Sequence, residues 1–253
     1  MSTDNTVYLV GDRFAEFARM AGARTFSAFV ADLDSGALDG IDEPLVIRAG
    51  QGVGEYEVRY LRDALDRRGL RPDRVRLLVD EPALADRQDL HKGRADNVLV
   101  ADLRQDGDAV YAASLRLHND NELLVDLQNR AHVQGMVAIE ASRQMFLAVT
   151  ERFFLSRFPQ RRYYIVINSM STTFQNFLFP VQATLRLALQ ETELSDPARL
   201  MFKATVEIEQ AGRPAAVTHV DYAAFDPDMI DEKERRRAGR ALESVREPAA
   251  ALA

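Results

Sequence analysis

Residues 132–144, HVQGMVAIEASRQ, open the longest helical pattern in the chain, which we expect to run over residues 135–158. Apolar residues recur along this pattern three and four positions apart, which indicates a helix with a buried face. The segments on either side have the composition and alternation of strands. One long helix between such segments predicts an α+β fold in which an antiparallel sheet wraps a single central helix.

The predicted strands lie on both sides of this helix. Two precede it, over residues 97–103 and 109–117, and residues 105–108 have the composition of a hairpin turn between them. Four more follow it, over residues 163–169, 181–190, 198–210 and 216–225. The highly charged, Ala-rich residues 231–246 predict an exposed helix with a frayed end.

The first eighty or so residues have a different pattern, in which strands and helices alternate. We expect strands over residues 7–10, 25–30, 44–47 and 75–79, and helices over residues 13–21 and 55–68. This βαβ-like order favours parallel pairing. Because residues 80–90 are polar and rich in turn formers, we expect a boundary there. The predicted parts are a small α/β N-terminal domain (1–85), the α+β domain (90–228) and a charged C-terminal helix or tail (229–253).

Polar side chains cluster at the start of the long helix. Glu140 and Gln144 are one turn apart and Arg143 is three residues from Glu140, so the three share one side of the helix. The first backbone N–H groups, beginning at Gly135, have no intrahelical acceptor and are free to bind an anion or a polarised carbonyl oxygen. His132, just before them, is a candidate base. Structural roles stay open as well: a Glu140–Arg143 ion pair, and a His132 that caps or packs.

The composition excludes several classes of function. The chain has no cysteine, which excludes disulfides, thiolate metal sites and cysteine nucleophiles. Its four histidines lack the spacing of a helical zinc pair, so we expect no metal and no cofactor. The net charge of −7 disfavours binding to nucleic acid or to an anionic membrane. With no secretory signal pattern and no apolar run of about 18 residues, the simplest expectation is a cytoplasmic protein.

The motif G-M-x-x-x-E-A-x-x-Q over residues 135–144 resembles the central-helix signature of hotdog-fold β-hydroxyacyl-carrier-protein dehydratases. The fuller pattern over residues 132–144 is more similar to the A-factor biosynthesis hotdog family, whose members make γ-butyrolactone-type signalling precursors. Residues 91–100, HKGRADNVLV, resemble the His-Lys motif and first strand of that family. The resemblance covers residues 90–225 and implies a single hotdog domain preceded by the small N-terminal domain.

The resemblance implies an enzyme that handles an acyl thioester, with a β-ketoacyl group carried on acyl carrier protein or CoA. The family reaction moves that group to a hydroxyl of dihydroxyacetone phosphate. In this chain Gly135 would polarise the thioester carbonyl, and Glu140 or His132 would take the hydroxyl proton. Arg143 or Lys92 would hold the phosphate. The other expected substrate-binding residues are Gln144, His91, Asn97 and Met136.

Departures from the family pattern shape the remaining expectations. Family members commonly carry two hotdog repeats, whereas this chain shows one, so we expect a homodimer. Ala131 stands where the family often has Asp before the histidine, and Asp126 stands where the dehydratases have their catalytic histidine. A dehydratase or thioesterase acting on an acyl thioester stays an alternative. A non-catalytic acyl-ligand-binding protein is the third possibility.

Three further patterns leave alternatives open. Residues 50–55, GQGVGE, follow a strand and open a helix, which suits a phosphate-binding turn or a plain glycine-rich turn. Phe174, Phe177 and Phe179 would pack in a core or line an acyl tunnel. The run Arg235–Arg237 is expected on a solvated helix face.

Overall fold

The computed structural model describes residues 5–41, 43–79, 82–125 and 131–246. The N-terminal part forms a parallel four-stranded sheet in the order β2-β1-β3-β4. Its strands are β1 (Thr6–Val10), β2 (Arg24–Thr25), β3 (Leu45–Ala49) and β4 (Val75–Leu78). The connections contain helices α1 (Ala15–Ala21), α2 (Phe26–Ser35) and α3 (Glu55–Arg67).

The prediction of a strand over residues 25–30 is wrong, because the chain turns into helix α2 after Thr25. The Thr25 side chain accepts a hydrogen bond from the Ala28 N–H and so caps the helix. The Asp12 carboxylate accepts two more from the backbone and hydroxyl of Ser27. Phe29 and Leu33, one turn apart, then bury the same face against the parallel sheet. These caps outweigh the strand preference of the β-branched and aromatic residues.

The remainder of the described chain is built around one antiparallel sheet of six strands, in the order β5-β6-β8-β9-β10-β7. These are β5 (Val100–Gln105), β6 (Val110–Leu115), β7 (Tyr164–Phe174), β8 (Thr184–Glu193), β9 (Arg199–Gln210) and β10 (Arg213–Phe225). The helices are the short α4 (Glu122–Val125), the central α5 (Gly135–Phe153) and the C-terminal α6 (Pro227–Arg246). Helix α5 lies in the concave side of the sheet, as the sequence pattern predicts.

Burial is close to complete along the middle of α5. Its residues from Ala141 to Thr150 are all buried except Arg143. They pack against alternate residues of the central strands, such as Leu185 and Val206. The helix ends five residues earlier than predicted because Phe154 leaves it to pack against Phe202 and Tyr111.

A polar side chain joins the two sheets. Gln51, at the carboxyl end of β3, is buried and donates its amide to the Leu115 carbonyl oxygen at 2.8 Å. Its side-chain oxygen accepts from the Leu117 N–H at 2.6 Å, and the neighbouring Gly52 N–H donates to the Leu117 carbonyl oxygen. Gly52 has φ +80°, and a Cβ there would lie 2.8 Å from the Gly11 Cα. Glycine is therefore needed for this close contact.

The contact of Gln51 and Gly52 with residues 115–117 favours a plain glycine-rich turn over a phosphate-binding turn for residues 50–55. The carboxyl ends of β1 and β3 are where an open α/β sheet commonly binds ligands. Here the segment that follows β6 packs against Gln51 and Gly52, and Arg13 fastens it by donating to the Asn119 carbonyl oxygen at 2.7 Å. Gly54, the N-cap residue of α3, donates its N–H to the Glu57 carboxylate at 2.9 Å. Within the described residues, no helix combines the length and the apolarity required to cross a membrane.

We predict that Gln51→Ala lowers the free energy of unfolding, because it leaves buried polar groups of residues 115–117 without partners. Each such group costs about 1–3 kcal/mol. Denaturant unfolding of the purified protein measures the change, with the exposed Gln88→Ala as the matched control. Equal midpoints for the two variants would show that Gln51 does not hold the sheets together.

Candidate functional site

Glu140 is the centre of an ion-pair cluster on the exposed side of α5. The Lys92 ammonium lies 2.6 Å from its Oε1 atom. The Arg143 guanidinium donates to both carboxylate oxygens, at 2.8 and 2.9 Å. The Gln144 amide donates to Oε1 at 3.0 Å. The His-Lys segment and the helix motif, 48 residues apart at Lys92 and Glu140, therefore meet at this carboxylate.

Burial alone would raise the pKa of Glu140, but the hydrogen bonds from Arg143, Lys92 and Gln144 outweigh it and lower that pKa to about 2. The carboxylate is therefore ionised at neutral pH and already accepts from three donors. A group in this state is a weak general base. Its effect is to hold Lys92 and Arg143 side by side. Both cations remain partly exposed, at 22% and 27% of their side chains, so an anion could still reach them.

Gln144 connects the helix to the segment that leads into β5. It is completely buried, accepts from the Leu99 N–H at 2.8 Å and donates to the Asn97 carbonyl oxygen at 2.8 Å. The Asn97 side chain in turn accepts from the Glu122 N–H at 3.0 Å. The hydrogen-bonding groups of Gln144 are thus used within the protein, and we assign it a positioning role for Glu140.

The structure separates His91 from the Glu140 cluster. Its Nε2 atom lies 3.2 Å from the Glu151 carboxylate. Glu151 is eleven residues beyond Glu140, which is about 16 Å along the helix axis. Burial raises the pKa of Glu151 against the opposing effect of His91. His91 itself has φ +53°, a left-handed conformation that is uncommon for a residue other than glycine.

An apolar cavity of about 250 Å³ lies at the N-terminus of α5. His132 and Gly135 line it from the helix side, and Phe174 and Phe177 line it from the end of β7. The His132 ring packs on the Phe177 ring, with 4.7 Å between their centroids. Small residues at the start of β10, Ala215 and Ala216, complete the wall.

Close packing at Gly135 shapes this cavity. A Cβ at Gly135 would lie 2.8 Å from the Phe174 ring, so the ring would have to move.

Gln134 is the N-cap residue of α5 but supplies no side-chain cap. The N–H groups of Gly135 and Met136 donate to no acceptor among the described residues. Met136 is 57% exposed, so the start of the helix is accessible.

The predicted site residues therefore fall into three groups. In the first group Glu140 contacts Lys92, Arg143 and Gln144, and Gln144 in turn contacts Asn97. The second group, His132, Gly135 and Met136, lies at the start of the helix. The third is His91, which pairs with Glu151. In the described part of the chain, no hydrogen bond joins His132 to Glu140. Asp126, the position of the dehydratase histidine, lies outside the described residues.

Sequence reasoning missed Glu151 and the alanine pair at the start of β10. No local motif marks Glu151, because its link to His91 depends on how the chain folds back.

A larger cavity of about 520 Å³ lies between α3 and the six-stranded sheet. Five residues of the glycine-rich segment 50–55 line it, whereas none of the residues predicted for acyl transfer is among the described residues of its wall. Within the same described ranges, no group of three or more His, Asp or Glu side chains is arranged to hold a metal ion.

The six-stranded antiparallel sheet wrapped on one long helix is the hotdog fold. The family model described as the A-factor biosynthesis hotdog domain (AfsA) matches residues 76–226, which is more than half of the chain. The protein therefore belongs to the A-factor biosynthesis hotdog family, as its helix motif and His-Lys segment predict. A comparison with curated proteins finds no match.

Solved structures of similar shape are distant in sequence. A thioesterase variant from Pseudomonas aeruginosa is 12% identical, with a TM-score of 0.38, over 50% of this chain and 81% of that one. A thioesterase-like protein from Shewanella oneidensis is 12% identical, with a TM-score of 0.43, over 55% and 94%. A Helicobacter felis protein is 16% identical, with a TM-score of 0.39, over 58% and 91%. The fold assignment therefore depends on the family match and the strand order.

We predict that Glu140→Gln destabilises the protein at pH 7 by about 1–3 kcal/mol, because Lys92 and Arg143 lose their shared counter-charge. The folded pKa of Glu140 is lowered from 4.5 to about 2, so its contribution to stability is present above about pH 4.5 and is lost as the pH falls towards 2. The difference between variant and wild type should shrink across that window.

Denaturant unfolding at a series of pH values measures this difference. Glu191→Gln is the matched control, because it breaks a solvated Glu–Lys pair with Lys203 and should cost at most about 1 kcal/mol. A gap between Glu140→Gln and wild type that stays constant down to pH 2 would contradict the assigned ionisation.

Proposed function

We propose that this protein transfers an acyl group from a β-ketoacyl thioester to a small hydroxylated, phosphorylated acceptor such as dihydroxyacetone phosphate. The observation that carries the proposal is the apolar cavity at the N-terminus of α5, where the N–H groups of Gly135 and Met136, which find no acceptor among the described residues, follow His132. Family membership supports the same chemistry. The acyl chain would occupy the cavity between Phe174, Phe177 and the alanines of β10.

Each group needed for acyl transfer has a candidate at this end of the helix. The free N–H groups of Gly135 and Met136 would stabilise the negative charge that develops on the thioester oxygen. His132 would take the proton of the acceptor hydroxyl as its oxygen bonds to the carbonyl carbon. The tetrahedral intermediate would then collapse, the C–S bond would break, and the proton on His132 would pass to the leaving thiolate. We assign His132 this role rather than Glu140, whose carboxylate is held by three donors.

The acceptor phosphate would bind at Lys92 and Arg143. Glu140 neutralises one of these two cations, so the cluster keeps a net positive charge. Arg143 carries a planar fork of donors suited to phosphate oxygens, and Lys92 adds a point charge. Glu140 and Gln144 would serve to position them.

We also propose a homodimer formed through β7. This eleven-residue edge strand pairs only with β10 in the described structure, and Tyr164, Ile167 and Phe174 are exposed along it. The opposite edge, β5, is partly covered, because Ala85 donates to the Val100 carbonyl oxygen across it. A long, open edge with exposed apolar side chains is a surface that pairs with another strand.

A non-catalytic acyl-binding protein is the second candidate. The paired state of Glu140 favours it, since that carboxylate contributes no free base. This candidate predicts acyl-ligand binding without turnover.

Intact-mass spectrometry of an acyl-loaded carrier protein tests the proposed reaction. Loss of the acyl group should require both this protein and dihydroxyacetone phosphate. His132→Ala should lower the rate about 10²–10⁴-fold, the typical contribution of a general base. The exposed His219→Ala is the matched control.

Other results would redirect the proposal. Loss of the acyl group without an acceptor would indicate hydrolysis, and loss of one water with the acyl group still attached would indicate dehydration. Binding without any change in mass would favour the second candidate.

We predict that Ser169→Asp dissociates the dimer. Ser169 is exposed and is the middle residue of β7, so a dimer that pairs β7 over its full length places it opposite itself. Because Ser169 also faces Asp221 of β10, circular dichroism must show that the variant is folded. Like charges directly opposite each other destabilise strand pairing. Sedimentation should show twice the 28.4 kDa chain mass for wild type and for the control Ser195→Asp, and a monomer for Ser169→Asp. A monomeric wild type would contradict the dimer.

A further inference from the structure

Helix α6 is a polar helix that is largely unpacked. Ile230 is its buried residue and packs against Phe225 and Ala223. Residues 231–245 are all exposed. The segment is helical because it is rich in Arg and Glu, which favour helix without tertiary support. A helix that is polar all round either bridges domains through solvent or is stabilised by side-chain pairs three and four residues apart.

Four cations form a stripe along α6, which we name the basic stripe: Lys233, Arg236, Arg237 and Arg240. Their spacing of three, four and seven residues puts them on one face. Lys233 lies over the Phe225 ring at 5.7 Å. Within the described residues, the three arginines make no ion pair. The stripe is therefore a face of positive charge, flanked on the helix by Glu232 and Glu243, on a protein whose net charge is −7.

This charge arrangement selects the kind of partner. A net negative protein repels polyanions over most of its surface, so extended nucleic acid or an anionic membrane would gain little from four cations. A small acidic protein domain can present its charge to the stripe alone. Such complementarity raises the association rate and fixes orientation.

The placement of α6 connects the stripe to the candidate site. Helix α6 follows Phe225, which pairs with Tyr164 at the start of β7, whereas the cavity lies at the other end of β7, at Phe174. In the proposed dimer, a two-fold axis perpendicular to the sheet pairs the two β7 strands antiparallel. Tyr164 then lies beside Phe174 of the partner subunit. The first residues of α6 then lie two strand spacings, about 10 Å, from Phe174 of the partner subunit.

We propose that the basic stripe of α6 docks the acidic carrier protein that delivers the acyl thioester to the partner subunit's cavity. This inference rests on the proposed function and on the dimer. It adds a surface for the donor, separate from the groups that carry out the chemistry.

The test compares two acyl donors that carry the same acyl group, one on the carrier protein and one on pantetheine. The full-length double variant Arg236→Glu/Arg240→Glu should lose about tenfold or more in kcat/KM with the carrier-bound donor and keep its rate with acyl-pantetheine. The matched control, Arg235→Glu/Arg104→Glu, has the same net charge but places its changes outside the stripe. It should retain both rates, and circular dichroism should show equal helix content.

Several results would overturn the inference. They are an equal loss in the stripe and control variants, a loss with both donors, or no loss at all. If no variant turns over either donor, the proposed function fails, and fluorescence anisotropy of labelled acyl-carrier protein then tests docking directly. Binding that the stripe variant abolishes and the control retains supports docking. Unchanged binding, or stripe-dependent binding to anionic vesicles or RNA in place of the carrier, overturns it.

Discussion

The desolvation of one carboxylate organises the site of this protein. Glu140 begins the stretch of α5 that the sheet encloses, and a buried charge is costly unless it is paired and hydrogen-bonded. Lys92, Arg143 and Gln144 meet that requirement together. Gln144 donates to Glu140 and also holds the segment before β5, through Leu99. The same carboxylate therefore fixes the position of a strand, a helix and two cations.

Two different chemical environments lie along helix α5. The side of α5 near Glu140 presents a positive cluster suited to a phosphate, and the N-terminus presents free N–H groups suited to a carbonyl oxygen. His132 belongs to the second region, packed on Phe177 at the cavity. Both environments belong to the first turns of one helix, which holds them at a fixed separation. Away from this helix start, Gln51 joins the parallel sheet to the six-stranded sheet.

Much of the hotdog fold could be predicted from the sequence, because the helix period and the motif over residues 135–144 are local signals. The pairing of Glu140 with Arg143 and Gln144 follows from their helical spacing in the same way. Other features depend on the folded chain. Capping by Thr25 and Asp12 decides that α2 is a helix, and the bond between His91 and Glu151 requires a long-range turn. The lowered pKa of Glu140 depends on both kinds of feature, because Arg143 and Gln144 are local partners whereas Lys92 is 48 residues away.

The central claim is that an acyl chain occupies the cavity at the N-terminus of α5. Photo-crosslinking tests it most directly, with an acyl-pantetheine that carries a diazirine near the end of its acyl chain and with peptide mass spectrometry to locate the label. The account predicts labelling within residues 174–178 or 132–138, competed by unlabelled acyl-pantetheine. Labelling instead at the larger cavity, around Ser114 and Thr184, would contradict it and would move the binding site to the junction of the two sheets.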